Sequence, residues 1–284
     1  MLRLVAAALL LIGVSLPQYP QIELASVEQI DLPFAGLLRP NAVAVAPNGD
    51  IYVADAGHRR VLKLAAGTTS QTELPFTGLQ NLTGLAVDGS GAVYVTYFTD
   101  CCPDVGKVVK LSAGSAAQTE LPFTGLIDPR AVTVDGAGSV YVADRRIHQV
   151  VKLGAGSTTQ TVLPFDGLEF TQGVALDRGG NVYASDTRMN DNRVVKLAAG
   201  SGGQTTLPFT GLNQPSAVAV GNDGSVYVSD YNNRRVLKLS TGSTSQTVLP
   251  LVGLSWPEGV AVDGGGNLYV ADGMNARIVK LVAG

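Results

Sequence analysis

Histidine, cysteine and charge are all scarce in this chain of 284 residues, and each shortage removes a class of function. Its two histidines, His58 and His148, cannot build a three-histidine zinc site within one chain. The two cysteines, Cys101 and Cys102, are adjacent, so no Cys-x-x-Cys redox motif exists. Charged residues make up 15% of the chain and the formal net charge is −3, which leaves no basic field for nucleic acid. Long apolar runs are missing too, apart from residues 4–16. That run follows a lone Arg3 and stops at Pro17, the layout of a secretory signal peptide. It falls short of the roughly 20 residues a membrane helix requires. Residues 1–20 therefore read as a signal peptide or a short membrane anchor, 21–28 as a linker and 29–284 as one exported domain, secreted or cell-surface. Contact with a membrane is expected only through an uncleaved anchor. In an oxidising compartment Cys101 and Cys102 are expected to pair as a vicinal disulfide, either stiffening their loop or offering an apolar surface.

What the chain has in quantity is glycine, 34 residues of it, and repetition. Leu-Pro-Phe begins at Leu32, Leu74, Leu121, Leu163 and Leu207, with a Leu-Pro-Leu variant at Leu249. The intervals of 42, 47, 42, 44 and 42 residues define six units. Each unit holds four short β-rich runs separated by Gly, Asn and Asp turns. In the first unit these are Ala42-Val43-Ala44-Val45, Ile51-Tyr52-Val53, Val61-Leu62-Lys63-Leu64 and Gln71-Thr72-Glu73-Leu74-Pro75-Phe76. Four strands per unit at this period predict an all-β, six-bladed propeller of antiparallel blades. Proline cannot donate to a ladder, so the fourth run is expected on the outer edge. The last unit stops at Gly284 without a fourth run, whereas Gln29-Ile30-Asp31-Leu32-Pro33-Phe34 stands unmatched before the first. The N-terminal strand is therefore expected to complete the last blade and remove an open edge.

The segment from Pro257-Glu258-Gly259-Val260-Ala261-Val262-Asp263 through Leu268-Tyr269-Val270-Ala271-Asp272 to Asn275-Ala276-Arg277-Ile278-Val279-Lys280 resembles the NHL repeat. More narrowly, Arg193-Val194-Val195-Lys196-Leu197 and Gln204-Thr205-Thr206-Leu207-Pro208-Phe209 resemble the extracellular sensor domain of mycobacterial receptor serine/threonine protein kinases. The resemblance spans about residues 29–284 and implies a rigid propeller that senses a ligand or adheres outside the cell. The kinase itself is absent: there is no Gly-rich phosphate loop, His-Arg-Asp loop or Asp-Phe-Gly.

Comparison among the six units separates scaffold from site. Asp55, Asp144, Asp186, Asp230 and Asp272 recur at the end of the second strand and read as turn-fixing residues. The recurring lysines of the third strand read as solvated, outward-facing positions. Just before the first strand, by contrast, the units differ: Asn41, Thr83, Arg130, Gln172, Ser216 and Glu258. In a propeller these ring the mouth of the central channel. Loops between second and third strands open on the same face and bring Tyr97, Arg145, Arg146 and Tyr231. Trp256, the single tryptophan, enters the last blade and serves either ligand contact or packing. The expectation drawn from this pattern is a non-catalytic module that needs no cofactor and binds an extracellular ligand or protein through the mouth. The alternative is a propeller hydrolase or lyase, lactonase-like, with a divalent cation held by Asn41, Glu258 and the aspartates.

Overall fold

In the computed structural model, residues 28–99, 105–189, 191–200 and 202–284 are described. The expected signal peptide or anchor (1–20), nearly all of the linker, and Cys101 with Cys102 lie outside these residues. Among the described residues, no helix is long and apolar enough to cross a membrane.

Six four-stranded antiparallel sheets form the six predicted blades. Their inner strands are Pro40–Val45, Asn81–Val87, Pro129–Val134, Phe170–Leu176, Pro215–Val220 and Pro257–Val262. Each inner strand packs against the next, and the sixth returns to the first, so the inner strands close a ring. The outer strands are only two or three residues long, such as Gln71–Glu73, and the chain leaves the ladder near the predicted proline.

The core follows from this geometry. A twisted blade cannot bury both faces alone, so the apolar residues collect in six wedges, each shared by two neighbouring blades. Val53, Val95, Val142, Val228 and Val270 are fully buried there. Each such side chain contributes about 1.5–3 kcal/mol of burial. The Leu-Pro-Phe linkers fill the same wedges: Leu32 and Phe34 pack with Val53 and Ala271 between the last blade and the first.

Near the axis the inner strands approach so closely that the residue just after the rim position alternates by blade. Ala42, Ala131 and Ala217 stand in the odd blades and Gly84, Gly173 and Gly259 in the even ones. A Cβ on Gly259 would lie 2.7 Å from the Ala42 Cα, and one on Gly173 2.9 Å from the Val218 amide nitrogen. Backbone stands there, so only glycine fits.

The recurring lysines depart from the sequence reading. Each is paired across strands with the tyrosine of its second strand, and its Nζ lies 5.0–5.6 Å from that ring's centroid. These lysines are half-buried partners of an aromatic face rather than free solvated charges.

Ring closure occurs as the repeat comparison requires. Gln29–Asp31 pairs antiparallel with Arg277–Leu281 and supplies the missing fourth strand. A side-chain clasp repeats the join made in every blade. Gln29 Oε1 accepts from the Val252 amide at 2.8 Å and its Nε2 donates to the Val252 carbonyl at 3.2 Å. Gln71 holds Ala35 in the same way. Arg277 also meets Asp31 at 3.0 Å. Removing residues 29–34 opens a strand edge and empties the last wedge. The melting temperature should fall by at least about 10 °C on deletion, given the few degrees that each kcal/mol is worth. An unchanged thermal melt would refute this closure.

Candidate functional site at the channel mouth

Every inner strand begins with a β-bulge. In the first blade Pro40 pairs with Asp55 and Ala42 with Ala54, leaving Asn41 as the extra residue. The same shift falls at Thr83, Arg130, Gln172 and Ser216, and at Glu258 with Gly259. A bulge bends its strand and re-aims one side chain. The six predicted rim residues all line one cavity of about 130 Å³ at the axis, each followed by a small residue and an aliphatic one.

Two further cavities, about 350 and 260 Å³, share Arg130 and Glu258 with it, are both also lined by Arg39, and open the mouth over the loops. The loop candidates divide there. Arg145 and Tyr231 line the smaller cavity, together with Arg39 and Gln214. Trp256 stacks on Tyr231 with centroids 5.6 Å apart and planes 24° from parallel. Arg146 is exposed and lines none of the three mouth cavities. Tyr97 is buried in the wedge between the first two blades, where it replaces the recurring aspartate. Its backbone belongs to the mouth loop, but its ring belongs to the core.

The recurring aspartates are scaffold. All five are fully buried, and each accepts backbone amides from the loop that enters its own blade. Asp55 takes the Leu38 amide at 2.7 Å and the Arg60 Nε at 2.8 Å; Asp272 takes Ser255 and Arg277 in the same way. Asp144 has no such arginine and is filled instead by the amides of Ile127 and Arg146.

Among the rim residues, Thr83 and Ser216 spend their hydroxyls on backbone carbonyls of the next blade, Thr83 on Pro129 and Ser216 on Glu258 at 2.8 Å. Asn41 donates to the Leu82 carbonyl, and its Oδ1 is a buried oxygen without a partner. Arg130 donates to the buried Asp128 at 3.0 Å, and Arg145 holds the same carboxylate at 2.7 Å. Arg130 Nε, itself buried, lies 2.8 Å from Asp128 Oδ1, so the guanidinium is ion-paired to that carboxylate at two points. Burial pulls the Arg130 pKa below the ordinary arginine value, against the opposing charge of Asp128.

Glu258 is the exception in the ring. Among the described residues its carboxyl has neither a hydrogen-bond donor nor an ion-pair partner. Burial raises its pKa to about 7, with Arg39 and Arg130 pulling the other way through space. Burial also raises Tyr231, with the Glu258 charge adding to it. The repeat comparison found Glu258 and Arg130 but passed over Arg39, Asp128 and Gln214. Their sequence signal is the residue before proline at 40, 129 and 215, which looks like linker. Arg39, Gln214 and Trp256 all take positive φ there (51°, 55° and 58°), an uncommon conformation outside glycine.

These observations bear on the expected cation. The aspartates are saturated by amides and arginines, and no group of three or more His, Cys, Asp or Glu poised for a metal occurs among the described residues. Asn41 and Glu258 remain, faced by Arg39 and Arg130. A hard cation seeks six to eight oxygens, so this donor set does not fit it.

A raised carboxyl pKa has a sign in stability. Between the unfolded value near 4.3 and about 7, the folded protein binds the extra proton. Its contribution is full below the lower value and is lost as pH rises through the upper one. From pH 5 to pH 8 the melting temperature should therefore fall more in the wild type than in Glu258→Gln. Identical pH dependence in the two proteins would show that Glu258 is not desolvated.

NHL repeats match at residues 37–64, 212–239 and 254–281. These are the first, fifth and sixth blades, which are consecutive around the ring and carry the aspartate–arginine clamp intact. The chain thus carries NHL repeats in a six-bladed propeller. Comparison with curated proteins gives no match. Among solved structures, a gluconolactonase from Xanthomonas campestris superposes with a TM-score of 0.73 at 13% identity, covering 91% of this chain and 90% of its own. Virginiamycin B lyase from Staphylococcus aureus gives 0.65 at 13% identity, over 90% and 85%. A chain of the nidogen/laminin complex gives 0.65 at 20% identity, over 75% and 81%. At such identities the likeness is one of fold. The expectation of a non-catalytic module is nevertheless corrected. Lyase and gluconolactonase propellers share this fold, and the mouth holds a desolvated carboxyl beside a desolvated guanidinium.

Proposed function

We propose that the protein is a propeller hydrolase or lyase that acts on a small carbonyl substrate at the mouth of its central channel, without a resident cation. The observation that carries this reading is the placement of Glu258, a carboxyl without partners, between the guanidiniums of Arg39 and Arg130. Structural ion pairs are made in contact, as in the four aspartate–arginine clamps. Glu258 is instead left with its lone pairs free where the three mouth cavities meet.

The chemistry follows from the protonation states. A carboxyl titrating near neutral pH is matched to general base and general acid work. In hydrolysis, Glu258 takes a proton from water as the water oxygen bonds to the carbonyl carbon. The carbonyl oxygen gains negative charge, which the positive charge of Arg130 on the cavity wall is suited to stabilise. Collapse breaks the ester or lactone bond, and the proton on Glu258 passes to the leaving oxygen. In a lyase the same base removes a proton α to the carbonyl, and Arg130 faces the enolate. The C=C bond forms as the bond from the β-carbon to the leaving group breaks, and the proton on Glu258 passes to that group. Asp128 positions Arg130 and Arg145 and touches no substrate. Of the mouth cavities, the one of about 350 Å³ lies at the low end of ligand-binding sites and those of about 130 and 260 Å³ below it, which suits only small molecules.

The exported location and the likeness to kinase sensor domains rest on the sequence segments alone. Within this reading they place the enzyme outside the cell and supply its scaffold, not its chemistry.

Turnover of glucono-δ-lactone and of p-nitrophenyl acetate, measured above the spontaneous rate, tests the proposal. Wild-type kcat/KM should rise with pH through about 7, as the base form of Glu258 appears. Glu258→Gln should lose about 100-fold or more, the usual range for a general base. Equal rates in the two proteins would contradict the assignment.

A further inference from the structure

The larger mouth cavity has a wall that this chemistry does not use. Arg39 and Arg59 both line it, beside Arg130, Glu258 and Phe98. Arg130 is already held by Asp128 and lies over the Phe98 ring, 5.9 Å from its centroid. Arg39 and Arg59 differ. Among the described residues neither guanidinium makes a hydrogen bond or an ion pair, although the first blade has an aspartate clamp next to them that engages Arg60 and His58.

The two side chains are placed by backbone rather than by partners. Both residues have positive φ, 51° and 56°, on either side of the first blade's mouth loop. The matching positions of the fifth blade hold Gln214 and Arg234, and those of the sixth hold Trp256 and Ala276. Of these three NHL-type blades, the first alone has arginine at both. Around the mouth, four guanidiniums (Arg39, Arg59, Arg130, Arg145) therefore face two carboxylates, Glu258 and Asp128. This local excess of positive charge stands in a chain whose formal net charge is −3. A concave surface of one sign focuses its field and concentrates ligands of the other. The planar fork of arginine suits a carboxylate in particular.

We propose that Arg39 and Arg59 form a carboxylate-recognition subsite, and that the substrate is a small carboxylated lactone or ester rather than a neutral one. The carboxylate sits on this wall while the carbonyl end reaches Glu258 and Arg130. The choice of substrate rests on the catalytic reading above; the binding of a carboxylate does not.

Calorimetry with D-glucuronate and D-glucose as probes separates the two. Glucuronate should bind saturably and more weakly as salt is raised, with glucose at least tenfold weaker. Arg39→Ala/Arg59→Ala should lower glucuronate affinity at least tenfold while keeping the wild-type melting temperature within a few degrees. Arg146→Ala, an exposed arginine outside the mouth cavities, should leave it unchanged. Glu258→Gln should bind glucuronate at least as tightly, because it removes a like charge. No saturable glucuronate binding, equal binding of glucose, or an unaffected double variant would overturn the subsite. Glucuronate binding that persists in Glu258→Gln alongside undiminished lactone turnover would instead overturn the catalytic role and leave the subsite standing.

Discussion

The site depends on one local irregularity repeated six times, the bulge that opens each inner strand. Strict alternation would direct every second side chain into the wedge between blades and leave the axis to a ring of equivalent residues. The extra residue breaks that period, so the rim position is freed from core packing and can carry Asn, Thr, Arg, Gln, Ser or Glu without disturbing the fold. The close backbone approach just beyond it, with alanine in odd blades and glycine in even ones, keeps the channel narrow. Burial at its mouth is what shifts Glu258 and Arg130 from their ordinary states.

Scaffold and site are built from the same residue types put to opposite uses. The five recurring aspartates are fully buried yet saturated with amides and, in all but Asp144, an arginine, which makes them fixed elements of the loops. Glu258 is half-buried without donors and so keeps its capacity to accept a proton. Among the arginines, Arg60, Arg193, Arg235 and Arg277 close clamps, while Arg39 and Arg59 face the cavity with nothing to hold. A desolvated group with an internal partner is structural, whereas one without a partner is available for chemistry.

The fold was legible because repetition exposes it. Six copies with an orphan fourth strand at one end and a missing one at the other dictate the closure that Gln29 and Arg277 make. The six rim residues were legible for the same reason, as variation within a fixed frame. What lay beyond the sequence was the geometry that alternation hides. Reading the first strand from Ala42 made Arg39 look like linker, yet its positive φ and the bulge at Asn41 bring it to the mouth. Tyr97 looked like a loop residue because it replaces an aspartate, but a ring at a buried position goes to the wedge. The lysines alternate like surface residues, and only the cross-strand register shows the tyrosine beneath each one.

The proposed chemistry turns on a single carboxyl group desolvated at the channel mouth. Carbon-13 labelling of glutamate side chains, with assignment by Glu258→Gln, lets its titration be followed directly by NMR. A midpoint near 7 is the predicted result. A midpoint near 4.3, the value of a solvated glutamate, would contradict it.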